Sequence, residues 1–175
     1  MPETIHLTKH YIHIDSNDRD TIAYPSPTNY QIKLPSRYRN IWEARLVNIN
    51  IKEFGSAQKN VFLRIDNLNH VAGTSKSTGV HFCFAKLPLY QSFSNTFYIN
   101  STNESIPPAI MQNPIATMDR LVISITDSNG IILPGGLPNE WGDHSMQIEL
   151  TCGDYITNGG GSTISGHGRV LGGTR

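Results

Sequence analysis

The sequence of 175 residues has little of several features that define common protein classes. Charge is not biased, because 14 basic residues balance 14 acidic ones, so no overall field favours nucleic acid. No apolar run approaches the roughly 18 residues of a membrane helix, and no basic segment followed by an apolar run predicts a signal peptide. We therefore expect a protein without a membrane span, in a reducing, cytosol-like compartment.

Cysteine is also scarce, since the chain contains only Cys83 and Cys152. Two cysteines are too few for a disulfide framework. Both lie in apolar strand patterns, "VHFCFA" and "IELTCG", which favours small buried hydrophobes. A bridge between the two is the alternative.

Helical periodicity is nearly missing as well. No window of eleven residues carries an apolar stripe at positions i, i+3, i+4 and i+7. The segment "PPAIMQNPIATM" is the one candidate, and its prolines at 107, 108 and 114 limit it to a helical turn. The sequence thus excludes a helical bundle.

Strand patterns are what the chain does contain, with 15 glycines and 10 prolines between them. Apolar and polar residues alternate in "NYQIKLP", "EARLVNINIKEF", "DRLVISITD" and "SMQIELTCG", as in half-buried strands. The "DSNG" at 127–130 predicts a hairpin with a type I′ turn. From the apolar faces we predict one core that includes eight residues: Val47, Ile49, Ile51, Phe82, Phe84, Val122, Ile148 and Leu150.

Seven or eight strands with long loops predict an all-β fold, an antiparallel β-sandwich and most simply a single jelly roll. The spacing does not fit an immunoglobulin sandwich, which has a Cys–Trp–Cys pattern. We divide the chain into an extended N-terminal arm or edge strand (1–27), one jelly-roll domain (28–154) and a glycine-rich tail (155–175).

Motifs for catalysis are absent from the sequence: it has no P-loop, GxGxxG, HExxH, GxSxG or CxxC. The crowded histidines His6, His10 and His13 do not converge, because His10 and His13 point to opposite faces of a strand. The carboxylates from Asp15 onward fail the spacing of a calcium loop. We predict no catalytic site, no metal, no cofactor and no small-molecule substrate.

The glycine-rich tail is too poor in large side chains to order itself. We expect a partner chain to hold it. The predicted contact residues in the tail are Ile164, Arg169, Val170 and Leu171.

The order "IDSNDRD", "YPSPTNYQIKLP" and "RNIWEARLVNINIKEF" resembles the N-terminal region of small capsid proteins from nucleocytoplasmic large DNA viruses. The close resemblance covers roughly residues 11 to 54. A proline at the end of the second strand and a Gly-x-Tyr segment, both frequent in that family, are missing here. The matching positions are Asp15, Ser16, Arg19, Asp20, Tyr24, Pro25, Pro27, Tyr30, Leu34, Pro35, Asn40 and Leu46.

The resemblance implies a structural capsid protein of a large icosahedral DNA virus, either the penton or another minor capsid component. Its implied partners are the major capsid protein and copies of itself, in a pentamer for the penton, with no specific nucleic acid. It implies a place in the virion after assembly in the host cytoplasm. In the arm, whose packing in cis or in trans stays open, the predicted contact residues are Asp15, Arg19, Asp20 and Tyr24.

Two rival functions are considered. A carbohydrate-binding β-sandwich would stack sugars on exposed aromatic rings. The candidates for that role are Trp42, Tyr90, Tyr98 and Trp141. A cupin-type enzyme is disfavoured by the histidine spacing.

Overall fold

The computed structural model describes residues 4–52, 59–75, 79–89, 96–100, 106–135 and 141–156. Within these ranges the chain forms nine strands and one 3₁₀ turn, Ser16–Asp18. The strands are β1 (Thr4–Asp15), β2 (Asn29–Lys52), β3 (Asn60–Ile65), β4 (Val71–Ser75), β5 (Gly79–Cys83), β6 (Ala85–Pro88), β7 (Thr96–Asn100), β8 (Ala109–Thr126) and β9 (His144–Ile156).

Seven of the strands form one antiparallel sheet in the order β1-β9-β2-β8-β3-β6, with β7 paired to β2. Strands β4 and β5 form a separate hairpin. The first half of β2 pairs with β8, while its second half pairs with β9 and β7. Strand β1 is the edge strand next to β9, so its other edge has no strand partner among the described residues.

The sheet curls on itself along β2. Ile51 pairs with His144 across the strands, yet the hydroxyl of Tyr30 lies 3.0 Å from Nε2 of the same histidine. A straight strand would separate residues 30 and 51 by about 70 Å. Register shifts after Lys33 and after Ile41 mark the bulges where β2 bends. The two halves of the sheet therefore face each other as a sandwich.

Buried side chains from both halves form a single core. From the half with β1 and β9 they include Ile12, Ile14, Leu46, Ile49, Ile51, Ile148 and Leu150. From the half with β3 and β8 they include Tyr30, Leu34, Val61, Leu63, Ile65, Ile123 and Ile125. The predicted all-β antiparallel sandwich of jelly-roll type is confirmed.

The predicted core is partly right. Five of its eight residues are buried: Ile49, Ile51, Phe84, Ile148 and Leu150. Val47 is only half-buried because a register shift between Leu46 and Asn48 turns Leu46 inward instead. Val122 is half-buried because it lies on the face opposite to Leu121 and Ile123.

Phe82 is 51% exposed, so its assignment to the core is wrong. Strand β5 ends at Cys83, and the amide of Phe84 donates to the carbonyl of Leu63 in another strand pair. The alternation from Phe82 to Phe84 is therefore interrupted. Neither Cys83 nor Cys152 forms a disulfide, so the alternative of a bridge is wrong as well.

Two local predictions are also corrected. The segment 107–118 was predicted to form a helical turn at most, but most of it lies in β8. Pro114 falls between paired positions of this strand, so no hydrogen bond between the strands is lost there. At "DSNG" the hairpin forms, but only Gly130 has positive φ, at 78°, so the turn is not type I′. It is a type I turn with glycine in the left-handed position, and the Asp127 carboxylate accepts from the amides of Asn129 and Ile131.

Candidate assembly surfaces

One end of the sandwich is closed by buried polar groups, and we call it the closed end. The Tyr30 hydroxyl contacts His144 there, and the backbone N–H of His144 donates to the Ser16 hydroxyl at 2.9 Å. The Ser16 hydroxyl in turn donates to Asp143 at 3.2 Å. These contacts join the N-terminal segment, β2 and the start of β9.

Burial has electrostatic consequences at this end. His144 is only 3% exposed, and burial lowers its pKa to about 4 against the opposing effect of the Asp143 and Asp15 carboxylates. Burial likewise raises the pKa of Tyr30, with Asp15 adding to the shift. At neutral pH the contact therefore joins an uncharged imidazole to an uncharged phenol. The Nδ1 atom of His144 has no hydrogen-bond partner among the described residues.

Arg19 fixes the segment that follows β1. Its side chain is 8% exposed, and its fork of donors reaches several oxygens at once. The acceptors are the carbonyls of Ser16 (2.6 Å), Tyr24 (3.0 Å) and Pro25 (3.1 Å) and the carboxylate of Asp143 (3.2 Å). A loop with this many internal bonds is pre-organised.

We call residues 16–24 the acidic loop. The Asp20 carboxylate accepts from the amides of Ile22 and Ala23, and its carbonyl accepts from the amide of Tyr24 at 2.8 Å. Ile22, at the tip, is 95% exposed. Asp18 is exposed too, and among the described residues no cation forms an ion pair with it or with Asp20. The loop thus presents an apolar tip beside unpaired carboxylates.

The other end of the sandwich is open. Along the inner face of β1, Ile14 and Ile12 are buried, His10 is half-buried and Thr8 is exposed. A cavity of about 440 Å³ lies here, lined by Thr8, His10, residues 36–39 and Cys152. We call it the cationic cleft, since Arg37 and Arg39 line it.

The outer face of β1 and β9 carries charged side chains beside apolar ones. The Lys9 ammonium lies 2.9 Å from Glu149. Hydrogen bonds from Lys9 and from Tyr11 lower the pKa of Glu149, and the same bonds raise the pKa values of both donors. Ile5 and Leu7, on the same face, are exposed.

Trp42 covers Gly153 on this face. A Cβ at position 153 would come within 2.5 Å of the indole Nε1 of Trp42, so only glycine fits beneath the ring. The Nε1 group is buried and has no hydrogen-bond partner in the part of the chain that the structure describes. The ring therefore packs as an apolar cover.

The predicted contact residues of the arm are brought together by the structure. Asp15 caps the 3₁₀ turn, and Arg19, Asp20 and Tyr24 form the acidic loop. Their described contacts lie within the chain, and contact with a partner stays a prediction. The predicted contact residues of the tail, Ile164, Arg169, Val170 and Leu171, lie outside the described residues.

The sequence did not predict the main residues at either end of the sandwich. These are His144 and Asp143 at the closed end and Arg39 in the cationic cleft. Their partners are distant in sequence: Tyr30 and His144 are 114 residues apart, and Ser16 and Asp143 are 127 apart. The closest signal was the pair of arginines in "SRYRN", which precedes a register shift. Among the described residues no group of three His, Cys, Asp or Glu side chains is placed to hold a metal ion.

The aromatic residues proposed for sugar stacking do not form one exposed surface. Trp141 is 4% exposed and belongs to the core, while the Trp42 ring lies against Gly153. Tyr98 is exposed, and Tyr90 lies outside the described residues. The described part of the chain also contains no helix long and apolar enough to cross a membrane.

The curled antiparallel sandwich places the chain among proteins with a jelly-roll fold. No protein-family model matches the chain. It is 49% identical over 172 residues to penton capsid protein P1 of Paramecium bursaria Chlorella virus 1, and the match covers 98% of this chain and 99% of that protein. The chain therefore belongs to the family of viral penton capsid proteins.

This membership confirms the resemblance to small capsid proteins of nucleocytoplasmic large DNA viruses, and with it the structural capsid function. Among solved structures, a chain of Desmodium yellow mottle tymovirus is 11% identical to this one, and the match covers 91% of this chain and 93% of that chain. The TM-score between the two folds is 0.22.

Proposed function

We propose that five copies of this chain form the penton at the five-fold vertices of an icosahedral capsid, without catalysing a reaction. The observation that carries the proposal is the 49% identity to a penton capsid protein over nearly the full length of both chains. The closed end supports a non-catalytic role, because Ser16, Arg19 and Asp143 are engaged in bonds that fix a loop.

The partners in this proposal are neighbouring copies and the major capsid protein, within a virion assembled in the host cytoplasm. The fold offers surfaces suited to such contacts, since interfaces between subunits need exposed, complementary patches. The free edge of β1, the exposed tip of the acidic loop and the apolar outer face near Trp42 are three of them.

The test is the mass of the purified chain under native conditions, alone and mixed with the major capsid protein. We expect pentamers, and in particles we expect density for this chain at the vertices. The proposal would be contradicted if the chain stayed monomeric both alone and with the major capsid protein, and if it occupied no vertex of the particle.

The part of the tail beyond β9 is tested separately by deleting residues 157–175, because β9 includes residues 155 and 156. We expect a nearly unchanged melting temperature and reduced incorporation into particles. A second variant keeps the length of the chain and replaces Arg169, Val170 and Leu171 together by alanine. Normal incorporation of both variants would show that the tail makes no assembly contact.

A further inference from the structure

The net charge of zero conceals a separation of charge between the two ends of the sandwich. The closed end contains four carboxylates and two cations. The carboxylates are those of Asp15, Asp18, Asp20 and Asp143, and the cations are Lys52 and the buried Arg19. Asp18 and Asp20 are exposed, and no ion pair in the described residues neutralises either. This end is therefore acidic at its surface.

The open end has the opposite sign. Arg37 is 3.5 Å from Asp119 across an exposed contact, and Arg39 forms no ion pair within the described ranges. In the register of β2 and β8, Lys33 stands opposite Arg120, and Arg120 shares the Asp119 carboxylate with Arg37 at 3.4 Å. Like charges directly opposite are destabilising, so this surface is suited to an anionic neighbour.

The two ends cannot meet within one molecule. From Thr8, which lines the cleft, to Asp15, which caps the acidic loop, β1 runs for seven residues, or about 23 Å. Their charges are complementary, and a contact between two different patches is the heterologous kind that builds closed rings. A second copy of this chain therefore supplies a partner of suitable chemistry.

We propose that the acidic loop of one copy binds in the cationic cleft of the next copy around the ring. This inference rests on the proposed pentamer and identifies the surfaces that join its subunits. Asp18 lies against Arg39 in this contact, and Ile22 enters the cleft beside the Tyr38 ring.

Size and rigidity support this assignment. A cavity of about 440 Å³ falls within the range that holds a compact ligand, which suits a loop tip. The four bonds made by Arg19 fix the loop before it binds, so little conformational entropy is lost on association. A nucleic-acid strand fits less well, since such proteins use a longer basic groove with several stacking rings.

The experiment uses charge reversal in the full chain. Both target side chains are exposed, so D18K and R39E are expected to fold normally, which thermal melting checks. Each single variant is expected to weaken the pentamer by about tenfold or more in sedimentation velocity, and the double variant D18K/R39E is expected to recover most of the loss. K86E, a reversal at an exposed position of β6, is the matched control and should assemble normally.

A cross-linking measurement tests the proposed contact without relying on the affinity between subunits. Cys152 lines the cleft and Cys83 is buried, so D18C should form disulfides between copies under mild oxidation. We expect a ladder of covalent oligomers up to five copies, and C152S in the same background should abolish it.

The outcomes separate the two proposals. A wild-type pentamer that is unchanged by D18K and R39E, with no ladder from D18C, would overturn the contact and leave the penton proposal standing. If R39E instead abolishes retention of single-stranded DNA and the pentamer is unaffected, the cleft is a nucleic-acid site and the inference is wrong. A wild-type chain that forms no pentamer overturns the proposed function and the contact together.

Discussion

Along the inner face of β1, the side chains change from buried to exposed within four alternate residues. Ile14 and Ile12 are buried in the core, whereas His10 is half-buried and Thr8 is exposed in the cleft. At the closed end the two halves of the sheet are joined by Tyr30 and His144, while at the open end the bulged segment at 36–39 lines a cavity. Buried packing is thus concentrated at the closed end, and the open end keeps an accessible cleft.

The largest expected difference lies in packing. I14A, at the closed end, should lower the free energy of unfolding by about 2–5 kcal/mol because it leaves a cavity in the core. T8A, on the same face of the same strand, should change it by no more than about 0.5 kcal/mol. Urea unfolding of both variants measures the contrast, and equal losses would show that the core extends to the open end.

The next effect is a dependence on pH. The unfolded chain protonates His144 near pH 6.5, but the folded chain does so only near pH 4. Stability from this group is therefore complete above about pH 6.5 and falls until about pH 4. The loss amounts to about 3 kcal/mol, since each pKa unit is worth about 1.4 kcal/mol.

Unfolding free energies of the wild type and H144Q between pH 7 and pH 4 measure this effect. We expect a shallower slope for H144Q, whatever its stability at pH 7. Y30F, which keeps the histidine and removes its hydroxyl partner, is the control and should keep the steep slope. Parallel slopes for the wild type and H144Q would show that another group is responsible.

A smaller effect is expected at Arg19. R19K should cost about 2 kcal/mol, because a single ammonium group cannot reach the acceptors that the guanidinium fork joins. The corresponding change at the open end, R39K, should be neutral within about 0.5 kcal/mol. Thermal melting compares the two, and a neutral R19K would mean that the acidic loop does not depend on the arginine.

The smallest effect concerns the outer face, away from both ends. K9Q removes a hydrogen bond that lowers the pKa of Glu149, so that pKa should rise toward its ordinary value. The stability that depends on ionised Glu149 is present above its unfolded pKa and is lost as pH falls, and in K9Q part of it should disappear. NMR titration of the Glu149 carboxyl measures the shift, with Y11F as the companion variant.

The strand content of the fold was predictable because alternation is a local property. Tyr30 and Leu34 are buried as the pattern of "NYQIKLP" indicates. The errors at Val47 and Phe82 arise where a bulge or a strand end breaks the period of two. One inserted residue reverses every later face, and nothing in the composition of these segments marks the position.

The two ends were harder to foresee. The sequence singled out Arg19 and Asp20, but a charged turn is ordinarily solvated, and the burial of Arg19 depends on Asp143 from the far end of the chain. The cleft likewise forms only where β1, β2 and β9 meet. Contacts over more than a hundred residues follow from topology, which single-sequence patterns do not determine.

The free edge of β1 has a consequence for the subunit before it assembles. Among the residues that the structure describes, the twelve residues of this strand pair with β9 on one side only, and an unpaired strand edge is a template for aggregation. Lys9 interrupts the exposed apolar series of Ile5, Leu7 and Tyr11, in the manner of charged residues that protect such edges. We therefore expect the solubility of the newly made protein to depend on Lys9, even though an exposed ion pair contributes little to the stability of the fold.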